Sequence, residues 1–328
     1  VCDRSEIEIM AYQAGDTILD DEYNTFVNSS SSPYGYNHFA GTGSGEYGLG
    51  QTAIATISAG DTITASHWNS LFTGMDNIGN HANDILTTRS QVSAGDTIAI
   101  KAAVEADLAS LAAEVAGGCV NATALTTSSA LQTVTTSAEG WDTSATQEVS
   151  ATFSNANEMR WFFNAGGKVR VVISTSQAST NPKDTAFIDL GSAIGNLDIG
   201  AQVTTRSGSG ETLTTNGLAN GFHDLGTGYT TLIKLTSDNS NYTSNTVEIQ
   251  AKLDAAPGTA VTMTIKMIAT DPADDTQYTS GNTAGQPVDV NNTPKMVTTL
   301  YTLTPNTSEG LGTAYGISSS ATVSNTTV

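Results

Sequence analysis

Strict alternation of apolar and polar residues over two neighbouring stretches constrains this 328-residue chain more than any other feature. Val247, Ile249, Ala251 and Leu253 alternate with polar residues, and so do Val261, Met263, Ile265 and Met267. A strand sends successive side chains to opposite faces, so each stretch reads as a half-buried strand. The linking DAAPGTA contains Pro257-Gly258, a turn signal, which predicts a β-hairpin of 246–253 with 261–268. Val149, Ala151 and Phe153 show the same alternation, and further turns fall at Ala165-Gly166-Gly167, Gly208-Ser209-Gly210 and Gly226-Thr227-Gly228. Helical periodicity is absent from about Asn121 onward. The expectation for 119–305 is therefore an antiparallel β-sandwich with structural turns at Gly166 and Gly167.

The first third of the chain is different. AGDTI occurs at Ala14 to Ile18, Ala59 to Ile63 and Ala94 to Ile98. Counted from the Ile of each copy, Tyr23 and Trp68 share an offset of five, Asn24 and Asn69 of six, and Phe26 and Leu71 of eight. After the second copy, Trp68, Leu71, Phe72, Met75 and Ile78 form one stripe of a 3.6-period helix, with Thr64 or Ser66 as N-cap. After the third, Ile100, Val104, Leu108, Leu111 and Val115 line one side of an Ala-rich helix that stops at Gly117-Gly118. Each unit reads as a Gly-Asp turn followed by an amphipathic helix. The expected structural turns are Gly15-Asp16, Gly60-Asp61 and Gly95-Asp96, with the glycines at positive φ and the Asp side chains bonding locally to backbone N–H groups.

These readings divide the chain into an N-terminal extension, 1–9, a turn-helix adaptor region, 10–118, the β domain, 119–305, and a Ser/Thr/Gly-rich tail, 306–328. The tail reads as an extra strand, a wrapping arm or a tip. Residues 28–52, rich in Gly and Ser, read as a loop or arm. The fold class is mainly β with a small N-terminal helical repeat region.

Composition narrows function. Against 32 acidic residues stand 12 basic ones, a formal net charge of -20, so no basic stripe exists to follow a phosphate backbone or an anionic membrane. Charged residues make up 13% of the chain, against about 25% in ordinary globular proteins, and Thr, Ser, Asn and Gly take their place. No stretch approaches a membrane-spanning helix, and the opening VCDRSEIEIM shows no export signal. Cys2 and Cys119 are too isolated for a disulfide framework or a redox motif.

Chemistry-bearing patterns are sparse. His38, His67, His81 and His223 occur in no metal-ligand spacing. His67 reads as solvent-facing, and His223 as a partner of Asp224 or a turn cap. Asp20-Asp21-Glu22 complements a helix N-terminus. DPADDT, from Asp271 through Asp274 and Asp275, offers oxygen ligands to Ca²⁺ but lacks the DxDxDG spacing. The glycines of 28–52 lack the GK[ST] of a phosphate loop. The expectation is no enzyme, no catalytic residue and no cofactor, with Ca²⁺ in the DPADDT loop as the one metal candidate.

SAGDTITASHWNSL, AGDTILDDEYN and NHFAGTGSGEYGLGQ resemble N-terminal segments of virion structural proteins of tailed phages, marine cyanophages above all. There a Gly-Asp-x-Ile-x-Ala-x-x-Trp-Asn pattern recurs, here Gly60, Asp61, Ile63, Ala65, Trp68 and Asn69. NEMRWFFNAGGKVRV at 157–171 and the Tyr242-Thr243-Ser244-Asn245 step before an alternating strand are similar to later segments of the same proteins. The resemblance covers most of residues 10–270, while residues 1–9 and the tail have no counterpart in it. It implies a non-enzymatic virion component, made in the host cytoplasm and then extracellular: a tail fibre, neck or baseplate appendage. A capsid decoration or head-fibre protein is the alternative within the particle, and a microbial adhesin or filament subunit the alternative outside it.

The implied partners are other virion proteins, a host surface receptor and further copies of the chain, a trimer by the symmetry of phage fibres, with no nucleic acid and no membrane insertion. The expected assembly interface is Tyr23, Phe26, Trp68, Leu71, Phe72, Met75, Ile78, Val104, Leu108 and Leu111, because short helices must bury their stripes against something. Packing of the three helices on one another within one chain is the competing arrangement.

Overall fold

The computed structural model of the chain describes residues 20–41, 48–82, 84–96, 101–117, 125–136, 141, 143–176, 182–239, 242–272, 295–305 and 317–325. They fall into two compact units, one within 20–117 and one within 125–325. The described residues are mostly β, in two antiparallel sheets, with a few helices.

The first unit contains α1 (Asp20–Asn28), α2 (Tyr36–Phe39), α3 (Ala65–Ala82) and α4 (Lys101–Ala116). α1 opens with Asp20, Asp21 and Glu22 in its first turn, where acidic side chains complement the helix dipole. α3 begins at Ala65, the start that Thr64, the first of the two expected N-cap residues, implies. The Thr64 carbonyl accepts the N–H groups of His67 and Trp68, and His67 Nδ1 accepts the Thr64 N–H at 3.1 Å, a reciprocal cap that fixes the first turn. α4 ends at Ala116, and the Gly117 N–H closes on the Ala113 carbonyl. α2 lies in the stretch expected to be a plain loop or arm. Its Tyr36 and Phe39 are buried, which gives four residues an apolar reason to coil.

In the second unit, one sheet runs β1 (Thr126–Thr127), β11 (Lys295–Thr304), β4 (Lys168–Ser176), β5 (Asn196–Ile199), β6 (Thr204–Arg206), with β2 (Gln132–Thr135) also paired to β11. The other runs β12 (Ile317–Asn325), β3 (Ser144–Phe153), β10 (Thr262–Thr270), β9 (Thr246–Leu253), β8 (Thr230–Thr236), β7 (Thr212–Asn216). The expected hairpin is present: Met263 faces Leu253 and Thr270 faces Thr246 across β9 and β10. Its turn is held by Asp254, whose Oδ1 accepts the N–H groups of Val261 and Thr262 at 3.0 Å each. Buried residues of both sheets, such as Val149, Ile249, Ile265 and Met267 from one and Val169, Val171, Met296 and Leu300 from the other, share one hydrophobic core.

One expectation about this half is corrected. Helical structure does not stop at Asn121, because α5 (Ala156–Asn164) and α6 (Pro182–Ile194) belong to the second unit. α5 is capped by Asn155, whose Oδ1 accepts the Glu158 N–H while its Nδ2 donates to the Glu158 carboxylate. It buries Met159, Phe162 and Phe163, the last stacked on Phe222 with ring centroids 4.5 Å apart. α6 starts with Pro182, a residue suited to a helix's first position, and buries Ala186, Phe187, Leu190, Ala193 and Ile194. Of the three readings of the tail, the extra strand is the one found for 317–325, where β12 pairs with β3 from Ile317↔Phe153 to Asn325↔Ala145.

A polar contact joins the sheets inside the core. Gln147 of β3, fully buried, donates from Nε2 to the Met296 carbonyl of β11 at 2.7 Å and accepts the Thr298 hydroxyl at 2.5 Å. Gln147→Ala removes both bonds and strands the buried Thr298 hydroxyl, an expected loss of about 1–3 kcal/mol. Chemical denaturation should show it, and Gln147→Leu combined with Thr298→Val should recover much of the loss.

Candidate interaction surface

The helical unit is where the motifs singled out in the sequence meet. Gly60 and Gly95 adopt φ of +91° and +94°, the conformation that a Gly-Asp turn was expected to need. In each turn an Asp N–H returns to a Ser carbonyl at 3.0 Å, Asp61 to Ser58 and Asp96 to Ser93. A type II turn has this form, with glycine at its third residue. The Asp96 carboxylate accepts the Ser93 N–H at 2.7 Å, locking the turn from the side chain. Gly15 and Asp16 lie outside the described residues. In the other unit Gly166 has φ of +87°, and a Cβ at Gly167 would sit 2.5 Å from the Phe162 carbonyl oxygen. That turn is the exit from α5.

The equivalent asparagines have the same task. Asn24 of α1 donates from Nδ2 to the Ile57 carbonyl and accepts the Ile57 N–H at Oδ1, both at 2.8 Å. Asn69 of α3 treats Val92 alike, at 3.0 and 2.8 Å. Ile57 and Val92 each precede a Ser-Ala-Gly-Asp turn, so each asparagine holds the entrance to the next AGDTI copy. Asn37 of α2 grips Ile54 in the same way, at 2.7 and 2.9 Å. A carboxamide presents a donor and an acceptor side by side, matching the N–H and C=O of one extended residue as a neighbouring strand would. α4, the last helix of the unit, has Val104 at the corresponding offset. It is tied down by Asp107, whose carboxylate accepts the Thr87 N–H at 3.1 Å and the Thr87 hydroxyl at 3.2 Å and pairs with Arg89.

The expected assembly interface is corrected by burial. Tyr23, Phe26, Trp68, Leu71, Phe72, Met75, Ile78, Val104, Leu108 and Leu111 are all at most 3% exposed within a single chain. Trp68 is surrounded by Tyr23, Phe26 and Phe72, with ring centroids 5.4, 5.9 and 5.7 Å away. Among the described residues the apolar stripes find their cover in each other within one chain, the competing arrangement of the sequence reading.

The unit does present a groove of about 750 Å³ between the extended segment 51–55 and one flank of α3. Its walls include Tyr36, Gln51, Thr52, His67, Ser70, Thr73 and Asn77, with no Asp, Glu, Lys or Arg among the lining residues. Gly74 makes the groove floor, since a Cβ there would lie 2.7 Å from the Tyr36 ring. Such walls offer hydroxyl, amide and backbone groups for hydrogen bonding.

The remaining candidates are accounted for individually. His67 is half-buried rather than solvent-facing, with its Nδ1 on the cap and its carbonyl accepting the Tyr23 hydroxyl at 3.2 Å. His38 stacks on Tyr34 at 4.0 Å, and burial holds its ring below the ordinary imidazole range. His81 is buried. His223 bonds Asn164 at 2.8 Å instead of Asp224, whose carboxylate caps its own turn through the Gly221 N–H. Asp271 is buried against Lys183 and so is not an open loop ligand, while Asp274, Asp275, Cys2 and Cys119 lie outside the described residues. Among the described residues no three His, Cys, Asp or Glu side chains are grouped to hold a metal, and no helix is long and apolar enough to cross a membrane. No family model, curated protein or solved structure matches the chain.

Sequence reasoning registered the Asn24 and Asn69 equivalence without its role and missed Asn37, Arg89 and Asp107. Recurrence at one offset was the available signal. Asn69→Ala is expected to destabilise the helical unit by about 1–3 kcal/mol through the unmatched Val92 backbone groups. Asn69→Asp should recover only part, because a carboxylate cannot donate to the carbonyl. Trp68→Ala should cost about 3–5 kcal/mol by opening the centre of the aromatic cluster. Thermal unfolding read from the tryptophan-independent far-ultraviolet helix signal checks all three variants.

Proposed function

We propose that this chain is a non-enzymatic structural component of a tailed-phage virion, an appendage of the tail fibre, neck or baseplate type. The helical unit is its attachment region and the β unit, read as a β-sandwich, its distal part. The observation that supports this reading is that Asn24 and Asn69, at one offset from AGDTI, each grip the residue at the entrance to the following turn. That device builds a rigid mount from short helices, and it rests on the residues through which the chain resembles virion proteins. The groove beside α3, uncharged and lined by small polar groups, suits another virion protein.

The outer face of the six-stranded β12 to β7 sheet supports a display role. It carries cross-strand hydroxyl pairs, Ser150 with Thr264 and Thr152 with Thr262, and a Tyr229 ring flanked by Lys252 and Lys266. Polar groups tied to one another across strands give a firm, water-compatible surface for a host receptor. A trimer belongs to this reading through the symmetry of phage fibres alone, since the helical stripes are already covered. Capsid decoration is the second reading within the particle, with the same mount used on a different shell.

Particles purified from infected host cells are expected to contain the chain at a fixed copy number by mass spectrometry. Thr73→Arg, which places a long charged side chain in the groove, should melt like the wild type and yet be lost from the particles. Absence of the wild-type chain from particles would refute the virion reading, and full incorporation of Thr73→Arg would refute the groove as the mount.

A further inference from the structure

One ion pair in the β unit is out of keeping with the rest of the chain. Lys183 and Asp271 are in contact, Nζ to Oδ2, and both side chains are 0% exposed. A charged amine and carboxylate so placed lose hydration that their mutual attraction repays only in part. The helix worsens the position of the amine. Lys183 is the second residue of α6, in the first turn, where the aligned peptide dipoles oppose a cation. In a protein with so few basic residues, one of them occupies about the least hospitable site a helix offers.

Buried aromatic rings lie close by in the fold. Phe187, one turn after Lys183 on the same helix face, packs edge-on against Trp141 with centroids 5.1 Å apart, and both rings are fully buried. Asp271 is fixed by its backbone, donating its N–H to the Thr143 carbonyl at 2.9 Å, two residues from Trp141. Asp184, next to Lys183, is a second buried carboxyl group. An amine and a carboxyl group held in contact and shielded from bulk solvent are the reactants of an amide condensation in high effective concentration.

We propose that Lys183 and Asp271 are the site of an intramolecular isopeptide bond. The ammonium proton passes to the carboxylate, leaving amine and carboxylic acid. The Lys183 Nζ lone pair then attacks Asp271 Cγ, forming the N–C bond. The C–O bond to the hydroxyl breaks, and that hydroxyl leaves with a second amine proton as one water molecule. No oxidant, reductant or activated co-reactant is required, and the neutral amide removes both buried charges. The bond ties the start of α6, which follows β4 of one sheet, to the end of β10 of the other, closing a long loop of chain.

Intact mass spectrometry of the purified full-length chain, denatured before measurement, tests this directly. The wild type is expected at the sequence mass less one water, and a digest should yield a branched peptide joining the segments around Lys183 and Asp271. Lys183→Ala and Asp271→Ala should each restore the full mass of their own sequence. A wild-type chain that folds, by its far-ultraviolet spectrum, and still shows the uncondensed mass with unbranched 183 and 271 peptides would overturn the proposal. The wild-type measurement decides the matter even if the variants do not fold.

Discussion

An extended backbone crossing a helical unit has no sheet to pair with, and its N–H and C=O groups must still be matched. Everything in the first unit depends on how that demand is met. Asn24, Asn37 and Asn69 each give one extended residue the two hydrogen bonds a neighbouring strand would supply. With Ile57 and Val92 pinned, the turns at Gly60 and Gly95 are positioned, and with them the helices that follow. Short helices, marginal by themselves, can then close their stripes around Trp68 and Leu71 without help from another chain.

The β unit solves its own version of the problem in a different way. Alternation along β3, β9, β10 and β11 drives one face of each strand into a common core, and buried polar groups such as Gln147 and Thr298 are bonded inside it. Gln147 links the two sheets, and Arg160 of α5 reaches the β9–β10 turn through the Gly258 carbonyl at 3.3 Å. Lys183 and Asp271 form the one of these contacts whose cost as an ion pair invites a chemical outcome. A covalent tie there would remove both buried charges and join the two sheets of the unit.

What could be read from the sequence follows the range of the forces involved. The β9–β10 hairpin was legible because alternation and a Pro-Gly turn are local, and so were the Gly60 and Gly95 turns, because φ is a property of one residue. α6 also left a local signal, Pro182 at its start, Phe187, Leu190 and Ile194 at helical spacing, and Gly195 with φ of +64° at its end. The alternating stretches on either side of it outweigh that signal in a reading by periodicity alone. FFNAGG was read as a turn, though Asn155 and Glu158 upstream spell a capping box for the helix that the turn ends. The interface was misjudged for a different reason: periodicity shows that a stripe must be covered, and says nothing of which surface covers it. Asn24 with Ile57, Asn69 with Val92 and Lys183 with Asp271 join residues far apart in sequence, where no local rule reaches.

The helical unit buries its apolar stripes and matches the extended residues Ile54, Ile57 and Val92 within one chain. Hydrogen exchange of the Ile54, Ile57 and Val92 amides in dilute protein tests this most directly, since these N–H groups belong to no regular element. The account predicts slow exchange of all three at every protein concentration, with protection of Ile57 lost in Asn24→Ala and of Val92 in Asn69→Ala. Rapid exchange in the wild type, or protection that emerges only at concentrations where chains associate, would contradict it.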